Sequence, residues 1–373
     1  MLVLVPLSTG ARVHQVMVGV FGLFRPNRIE IETEDGTVTS IRTAEVENRR
    51  VLAEGQRLLV ERGGKQLKVS FLEATGDLLQ VFDAGQVSIE EASFTLSVPG
   101  QIRRSFFGRV EVAVGRDHLL PRIVVAEEVA VAQILRSEMA ECFEPETLKA
   151  QAVLVRSYLR SSSGRHAAEG YDFCDTTHCQ FLADNNNNED EVDRFRQATL
   201  DSQGLLLTFL GKPFQPMYTA SCGGRTLADF SSTGRPHSGY RYRAVACDFC
   251  PKHPLFAWEC IVQTENLLRI LKGIHRDSPV RILARLARPG DEPVLANLRE
   301  TVRLQVGRSL GWNLIRSNRY IVESARGFTR IKGHGSGHNL GLCQAGAIEM
   351  GRQGKSMTDI LGFYFPGCQI GRR

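Results

Sequence analysis

The sequence predicts an α+β fold: a β-rich N-terminal part over residues 1–120 and a mixed α/β core over 121–373 that carries a cleft. Two patterns predict the division. Up to residue 120, short runs alternate apolar and polar side chains, the period of half-buried strands. From Pro121 onward, apolar residues recur at three- and four-residue steps, the period of a helix. The length of 373 residues also exceeds what one hydrophobic core usually fills.

In chain order, VMVGVFGLF opens the β material, and RIEIETEDGTVTSIRTAE sets EDGT between two alternating runs, a hairpin signal. RRVLAEGQRLLVE, KQLKVSFLEA and VEVAVGRDHLL continue the strands. IVVAEEVAVAQILRSEMA reads as a helix on the spacing of positions 124, 131, 134 and 135. Pro145 opens a second helix, with acidic Glu146 in its first turn and Gly164 beyond its end. Leu148, Ala152, Val155 and Leu159 form its buried stripe, while Lys149 and Arg156, two turns apart, project from nearly the same side.

The asparagine run after Asp184 reads as a polar loop capping a further helix, and LLLTFLGKPFQPMYTAS as two strands around the GKP turn. The stretch from about 255 to 325 is mixed, with strands and a short helix at TENLLRILKG. The chain closes with a strand, a glycine-rich turn and two helices over RGFTRIKGHGSGHNLGLCQAGAIEMGRQGKSMTDILGFYFPG.

Composition excludes several classes. Apolar residues make up 42% and charged residues 23%, ordinary values for a globular protein. The formal charge of +5 is spread along the chain without a concentrated basic run, so no nucleic-acid partner is expected, and an anionic polymer is compatible but not demanded. No apolar stretch is long enough for a membrane span. The N-terminal MLVLVPLSTG lacks a basic n-region, and its apolar block is short for a leader. A cytoplasmic protein, a mis-set start and a mature form are all consistent with it. Nine cysteines are an odd number and too sparse for a disulfide scaffold.

Four constellations carry chemistry. YDFCDTTHCQ brings Cys174, His178 and Cys179 together, and His166 lies eight residues before Cys174. Zinc takes four such ligands, and the same spacing suits inert core thiols. Cys247 or Cys250 of the CDFC pair are alternative fourth ligands, and that pair equally reads as a redox couple or small bridge. GHGSGHNLGLCQAGA fails the dinucleotide fingerprint, since the third glycine falls on His338 or Leu340, and it has no Walker lysine. What remains is a tight turn with His334, His338 and Gln344 around it. Glu138, or Glu141 one turn on, is a candidate general acid or half of an ion pair with Lys149 or Arg156. MYTASCGGRT sets Tyr218 and Ser221 before Gly223 and Gly224; it is no nucleophile elbow and reads as a polar turn lining a cleft.

These stretches, in this order, resemble the stage II sporulation protein D (SpoIID/LytB) family, which includes amidase-enhancer proteins. The resemblance is carried by SEMAECFEPETLKAQAVLVRSYL, YDFCDTTHCQFL, MYTASCGGRT and GHGSGHNLGLCQAGAIEMGRQGKSMTDILGFYFPG, and covers 255–300 poorly. It implies a lytic transglycosylase that cuts MurNAc–GlcNAc bonds of peptide-stripped glycan strands and leaves 1,6-anhydro ends. It implies Glu138 as catalytic acid/base. It implies Lys149, Gln151, Arg156, Tyr218, Ser221, Gly223, Gly224, His334 and Gln344 as substrate-binding residues. It further implies a structural Zn2+ on His166, Cys174, His178 and Cys179, and a place in the cell envelope, periplasmic or extracytoplasmic. The other function it implies is a non-catalytic, glycan-binding activator of an N-acetylmuramoyl-L-alanine amidase, which would make a cell-wall amidase a partner. The chain departs from the family pattern at Cys222, where serine is common, and at His338, which lengthens the path to Gln344. The single-carboxylate chemistry expects Glu138 to be partly desolvated, with Lys149 and Arg156 directed to the glycan or its surroundings rather than to Glu138.

Overall fold

The computed structural model describes residues 14–33, 38–42, 47–53, 55–176, 178–179, 182, 189–228, 239–274, 277–290 and 293–372. The EDGT turn, the asparagine run and the first residues of the chain lie outside them. The α+β reading is borne out, and the N-terminal part is β-rich. The chain forms two compact units, one of residues 1–140 and 162–203, the other of 141–161 and 204–373.

The first unit is built on one large sheet. Its strands are β1 (Gln15–Gly19), β2 (Arg28–Thr33), β3 (Val38–Arg42), β4 (Glu47–Val51), β5 (Arg57–Gly63), β6 (Gln66–Leu72), β7 (Leu78–Ala84), β8 (Gln86–Val98), β9 (Ile102–Val114), β10 (Leu119–Ala126) and β11 (Phe173–Cys174). They lie in the order β11-β1-β10-β9-β8-β2-β5-β6-β7, with β3 pairing β4 and β8. All neighbours are antiparallel except β1 and β11. Register follows the apolar alternation: Leu96, Ile31, Leu58 and Phe71 form one row across four strands, and Ile29, Val60 and Val69 the next. All seven are completely buried. A one-residue slip would turn both rows into water, at a cost of about 1.5–3 kcal/mol for each large side chain exposed.

Two sequence expectations change here. β2 and β3 do not pair with each other as a hairpin; both pair with β8. β8 has 13 residues and an irregularity between Ile89 and Ala92, enough length to take β2 along 94–97 and β3 along 86–89. The helix read from Ile123 begins only at Glu127, as α1 (Glu127–Glu138). Residues 122–126 belong to β10, because Ile123 and Val125 pair into β1 and β-branched side chains favour the pleated sheet. The chain thus changes from strand to helix at Ala126, inside what reads as one apolar run. Glu127 and Glu128 then sit in the helix's first turn, where its dipole favours acids.

α2 (Pro145–Ser162) starts at the expected proline and opens the second unit. Leu148, Ala152, Val155 and Leu159 are all buried, as are residues on its other faces, including Gln151 and Arg156. Back in the first unit, α3 (Glu189–Asp201) follows the asparagine run. The second unit then adds β12 (Leu205–Phe209), β13 (Lys212–Pro213), β14 (Tyr218–Thr219) and β15 (Ala257–Gln263), and the helices α4 (Thr264–Leu271), α5 (Pro279–Leu286) and α6 (Pro293–Leu310). It ends with β16 (Arg319–Ser324), β17 (Phe328–His334), β18 (Leu342–Cys343), α7 (Gln344–Arg352), α8 (Met357–Tyr364) and β19 (Gln369–Arg372). The sheet β15-β17-β16 packs against α4, α5 and α6 through Trp258, Leu267, Leu271, Ile282, Leu286, Val302 and Val306. A second core gathers α2, α7, α8 and the short strands around Phe214, Tyr240, Tyr364 and Phe365. Among the described residues no helix is long and apolar enough to cross a membrane.

One buried charge pair anchors the loop after β11. Arg104 of β9 reaches Asp175 and the Leu182 carbonyl, and the Asp175 carboxylate also accepts the Leu182 N–H at 2.7 Å. Burial raises the Asp175 carboxyl, and Arg104 opposes that shift. Arg104→Met removes the cation and leaves a carboxylate whose side chain is 1% exposed. The first unit should lose about 3–5 kcal/mol in urea denaturation. A loss below about 1 kcal/mol would show that the pair anchors nothing.

Candidate functional site

The two motifs expected to line a site in the second unit meet backbone to backbone. β14 pairs with β18 in parallel, Tyr218 opposite Leu342 and Thr219 opposite Cys343. Beyond β14, Ser221 exchanges backbone hydrogen bonds with Ser336 at 2.7 and 3.3 Å, and the Ala345 N–H donates to the Ala220 carbonyl at 3.0 Å. The glycines make this approach possible. A Cβ on Gly335 would overlap the Ser221 carbonyl, and one on Gly341 the Met217 carbonyl, and both glycines have positive φ, +80° and +70°.

Asn339 locks the pair of loops. It takes a left-handed conformation (φ 62°), which asparagine tolerates better than most residues. Its side-chain amide donates to the Cys222 carbonyl at 3.2 Å and its carbonyl oxygen accepts the Asn318 N–H at 3.1 Å. Arg319 Nη1 donates to three carbonyls, those of Cys222, Gly223 and Arg225, at 3.0–3.2 Å. Trp258 Nε1 donates to the Gly335 carbonyl at 2.8 Å. Sequence reasoning passed over Asn339, Arg319 and Trp258. The signal for a cation here, the carbonyls of Cys222, Gly223 and Arg225 converging on one guanidinium, exists only once the turn is folded.

The predicted residues divide by exposure. His334, the last residue of β17, is exposed, its ring edge-on to Phe256 at 6.0 Å. Tyr218 is half-buried, and Gln344, 7% exposed, is the first residue of α7. Ser221 and Gln151 are fully buried, and the Ser221 hydroxyl and both polar atoms of the Gln151 amide have no hydrogen-bond partner among the described residues. Such groups cost about 1–3 kcal/mol each while unpaired. Arg156, 1% exposed, donates to the Leu205 carbonyl at 3.1 Å and so ties α2 to β12. Lys149 pairs with Glu146 one turn earlier on α2. In the first unit, Glu138 is the last residue of α1 and is half-buried.

The first unit also assembles the cysteine–histidine cluster. His166 follows α2, Cys174 lies on β11, and His178 and Cys179 follow within the next turn. His166 Nε2 and His178 Nδ1 are 3.3 Å apart; Cys179 Sγ is 3.3 and 3.5 Å from them, and Cys174 Sγ is 3.6 Å from His178 Nδ1. Bonds of about 2.0–2.1 Å to nitrogen and 2.3 Å to sulfur, at tetrahedral angles, put ligand atoms about 3.3–3.8 Å apart. Two thiolates and two imidazoles at these separations therefore fit zinc. His166 Nδ1 faces the Glu169 carboxylate at 3.5 Å, the outer partner that metal-binding histidines commonly have. The Cys179 thiol's hydrogen bond, with help from Thr176 and His178, pushes Cys174 down to about 4.

Residues 122–209 match the model of the family described as stage II sporulation protein. The chain is similar to stage II sporulation protein D of Bacillus amyloliquefaciens, 26% identical over 262 residues, covering 65% of this chain and 73% of the relative. It is similar to the protein of the same name in Bacillus subtilis (strain 168), 24% identical over 265 residues, covering 65% and 74%. It is also similar to an uncharacterized protein of Brachyspira hyodysenteriae, 27% identical over 266 residues, covering 66% and 68%.

His338 gives the glycine bend a pH dependence. Burial of its ring pushes it down to about 4, with Glu300 opposing and Arg303 reinforcing the shift, and its Nδ1 accepts the Leu340 N–H at 3.0 Å. Between an unfolded value of about 6.5 and the folded one, the unfolded chain binds a proton that the folded chain refuses. The contribution of His338 to stability should be lost as pH drops from about 6.5 towards 4, by on the order of 1–3 kcal/mol. His338→Asn, which keeps an acceptor, should flatten the acid limb of a pH–stability profile. Parallel limbs for variant and native protein would contradict this.

Proposed function

From its resemblance to the stage II sporulation protein D family, we propose that this protein is a peptidoglycan lytic transglycosylase of the cell envelope. The observation that carries the reading is Glu138: a half-buried carboxylate ending α1, inside the stretch that matches the family. Its substrate is a glycan strand freed of stem peptides. Glu138 in its acid form protonates the oxygen of the MurNAc–GlcNAc bond as that bond breaks. The resulting carboxylate then takes the proton of the sugar's own C6 hydroxyl, which closes on C1 and leaves a 1,6-anhydro end. Two-carboxylate glycosidases use a second acid to activate water or attack the sugar. Here the nucleophile is intramolecular, with the high effective molarity that implies, so one carboxylate serves both steps.

His334, exposed beside the glycine bend, and Tyr218, half-buried on β14, are the predicted glycan contacts with surface to offer. Gln151 and Ser221 are fully buried, so in this reading they lie beneath the glycan contacts and do not meet the strand themselves. Arg156 and Lys149 already have protein partners in Leu205 and Glu146, so in this reading they hold α2 in place behind the glycan contacts. We assign Zn2+ to His166, Cys174, His178 and Cys179 as a structural ion: four protein ligands leave no open position for a substrate.

Glu138→Gln keeps the shape of the side chain and removes the acid. Incubated with peptide-free glycan strands, the native protein should release anhydro-ended fragments detectable by mass spectrometry, and the variant should be slower by about 10²–10⁴-fold. Equal release would remove Glu138 from the chemistry. No release by either, with stimulation of a purified cell-wall amidase by both, would favour the non-catalytic activator instead. His178→Ala should lower the zinc content by one equivalent and the thermal midpoint of the first unit, without that change depending on substrate.

A further inference from the structure

We propose that Cys222, Cys247, Cys250 and Cys343 form a second metal site, a closed tetrathiolate that holds one structural Zn2+ behind the two glycine loops. Neither the sequence motifs nor the resemblance assigns a metal to this set.

The four cysteines come from three separate pieces of chain. Cys222 ends the MYTASC turn, Cys247 and Cys250 belong to the CDFC loop, and Cys343 is the second residue of β18. All four are at most 1% exposed, and their four sulfurs lie within 4.8 Å of one another. The Cys222 and Cys250 sulfurs are 3.7 Å apart, and those of Cys247 and Cys250 3.9 Å. The edge of a zinc–sulfur tetrahedron with bonds of about 2.3 Å is about 3.8 Å. A disulfide needs about 2.05 Å, and all four cysteines are free. The sulfurs are too close together to surround a multi-iron cluster, whose own sulfides and irons would occupy the centre.

The surroundings suit thiolates. Cys343 Sγ accepts the Cys222 N–H at 3.2 Å and the Gly346 N–H at 3.3 Å, the latter as N-cap of α7. The Tyr364 hydroxyl lies 3.3 Å from Cys247 Sγ. These donors and the helix N-terminus offset the negative charge left when Zn2+ displaces the thiol protons. Gly346 keeps the space open: a Cβ there would overlap the Tyr364 hydroxyl and come within 2.8 Å of Cys247 Sγ. The Cys247 N–H also donates to the Gly224 carbonyl at 2.9 Å, so the CDFC loop is already tied to the turn that Cys222 ends.

Two of the ligands adjoin predicted glycan contacts. Cys222 follows Ser221, and Cys343 precedes Gln344. A metal bonded to both sulfurs fixes the distance between those neighbours without touching substrate, and four protein ligands leave it no catalytic position.

The test measures metal in the full chain, purified without added metal. In a His166→Ala/His178→Ala variant, which disables the His–Cys cluster, about one equivalent of zinc should remain by mass spectrometry. X-ray absorption on that variant should show only sulfur neighbours, four at about 2.3 Å. Cys247→Ser/Cys250→Ser should lose that equivalent, and if it fails to fold, the zinc content and absorption spectrum of the histidine variant decide alone. Less than about half an equivalent there, nitrogen or oxygen neighbours, iron in place of zinc, or a disulfide among the four cysteines would each overturn the proposal.

Discussion

In the second unit, two loops touch through their backbones, and the candidate chemistry of that unit hangs on this contact. Residues 217–224 and 335–345 share hydrogen bonds at Ser221, Ala220 and Met217, at separations no side chain could occupy. Backbone groups brought so close must be paired, since a buried N–H or carbonyl without a partner costs more than an ordinary hydrogen bond gains. Asn339, Arg319 and Trp258 are among the side chains that supply further donors to these loops. The same contact delivers Tyr218, Ser221, His334 and Gln344 to one region from stretches more than a hundred residues apart.

Both units hold irregular, polar loops against a core, and they do it with different chemistry. In the first, Arg104 threads from β9 to Asp175 beside Cys174, and the following turn brings His178 and Cys179 to His166 and Cys174. In the second, four buried thiols stand where an apolar cluster would otherwise fill the space beneath the loops. Regular sheets and helices bury their own polar backbone; loops of this kind need side chains or ions to do it for them. In the proposed metal sites, soft ligands at tetrahedral separations would let one ion stand in for several weaker contacts across chain segments distant in sequence.

Much of the architecture is legible from period alone. The alternation of Ile29 with Ile31 and of Leu67 with Val69 and Phe71 predicts strands, and the strands form. Pro145, Glu146 and Gly164 bound α2 within a residue or two, because each acts through local backbone chemistry. Pairing partners were not legible. β2 and β3 look like neighbours in sequence, yet they pair with different stretches of the 13-residue β8, a choice that depends on a strand some fifty residues further along the chain. The helices α5 and α6 were missed although Ser278 and Pro279 give α5 a plain start signal, a capping hydroxyl followed by proline.

The residues by themselves determined which chemistry is present: one carboxylate at the end of a helix, a cysteine–histidine cluster within fourteen positions, and two glycine-rich turns. Those features are local, so spacing reveals them. Tertiary structure alone decided that Arg156 and Gln151 are buried rather than offered to solvent, and that Cys222, Cys247, Cys250 and Cys343 share one pocket. Such gatherings depend on the register of β14 with β18 and on backbone approaches that only glycine permits. A linear pattern states neither, because the energy that selects them comes from surfaces that meet only after the chain has closed.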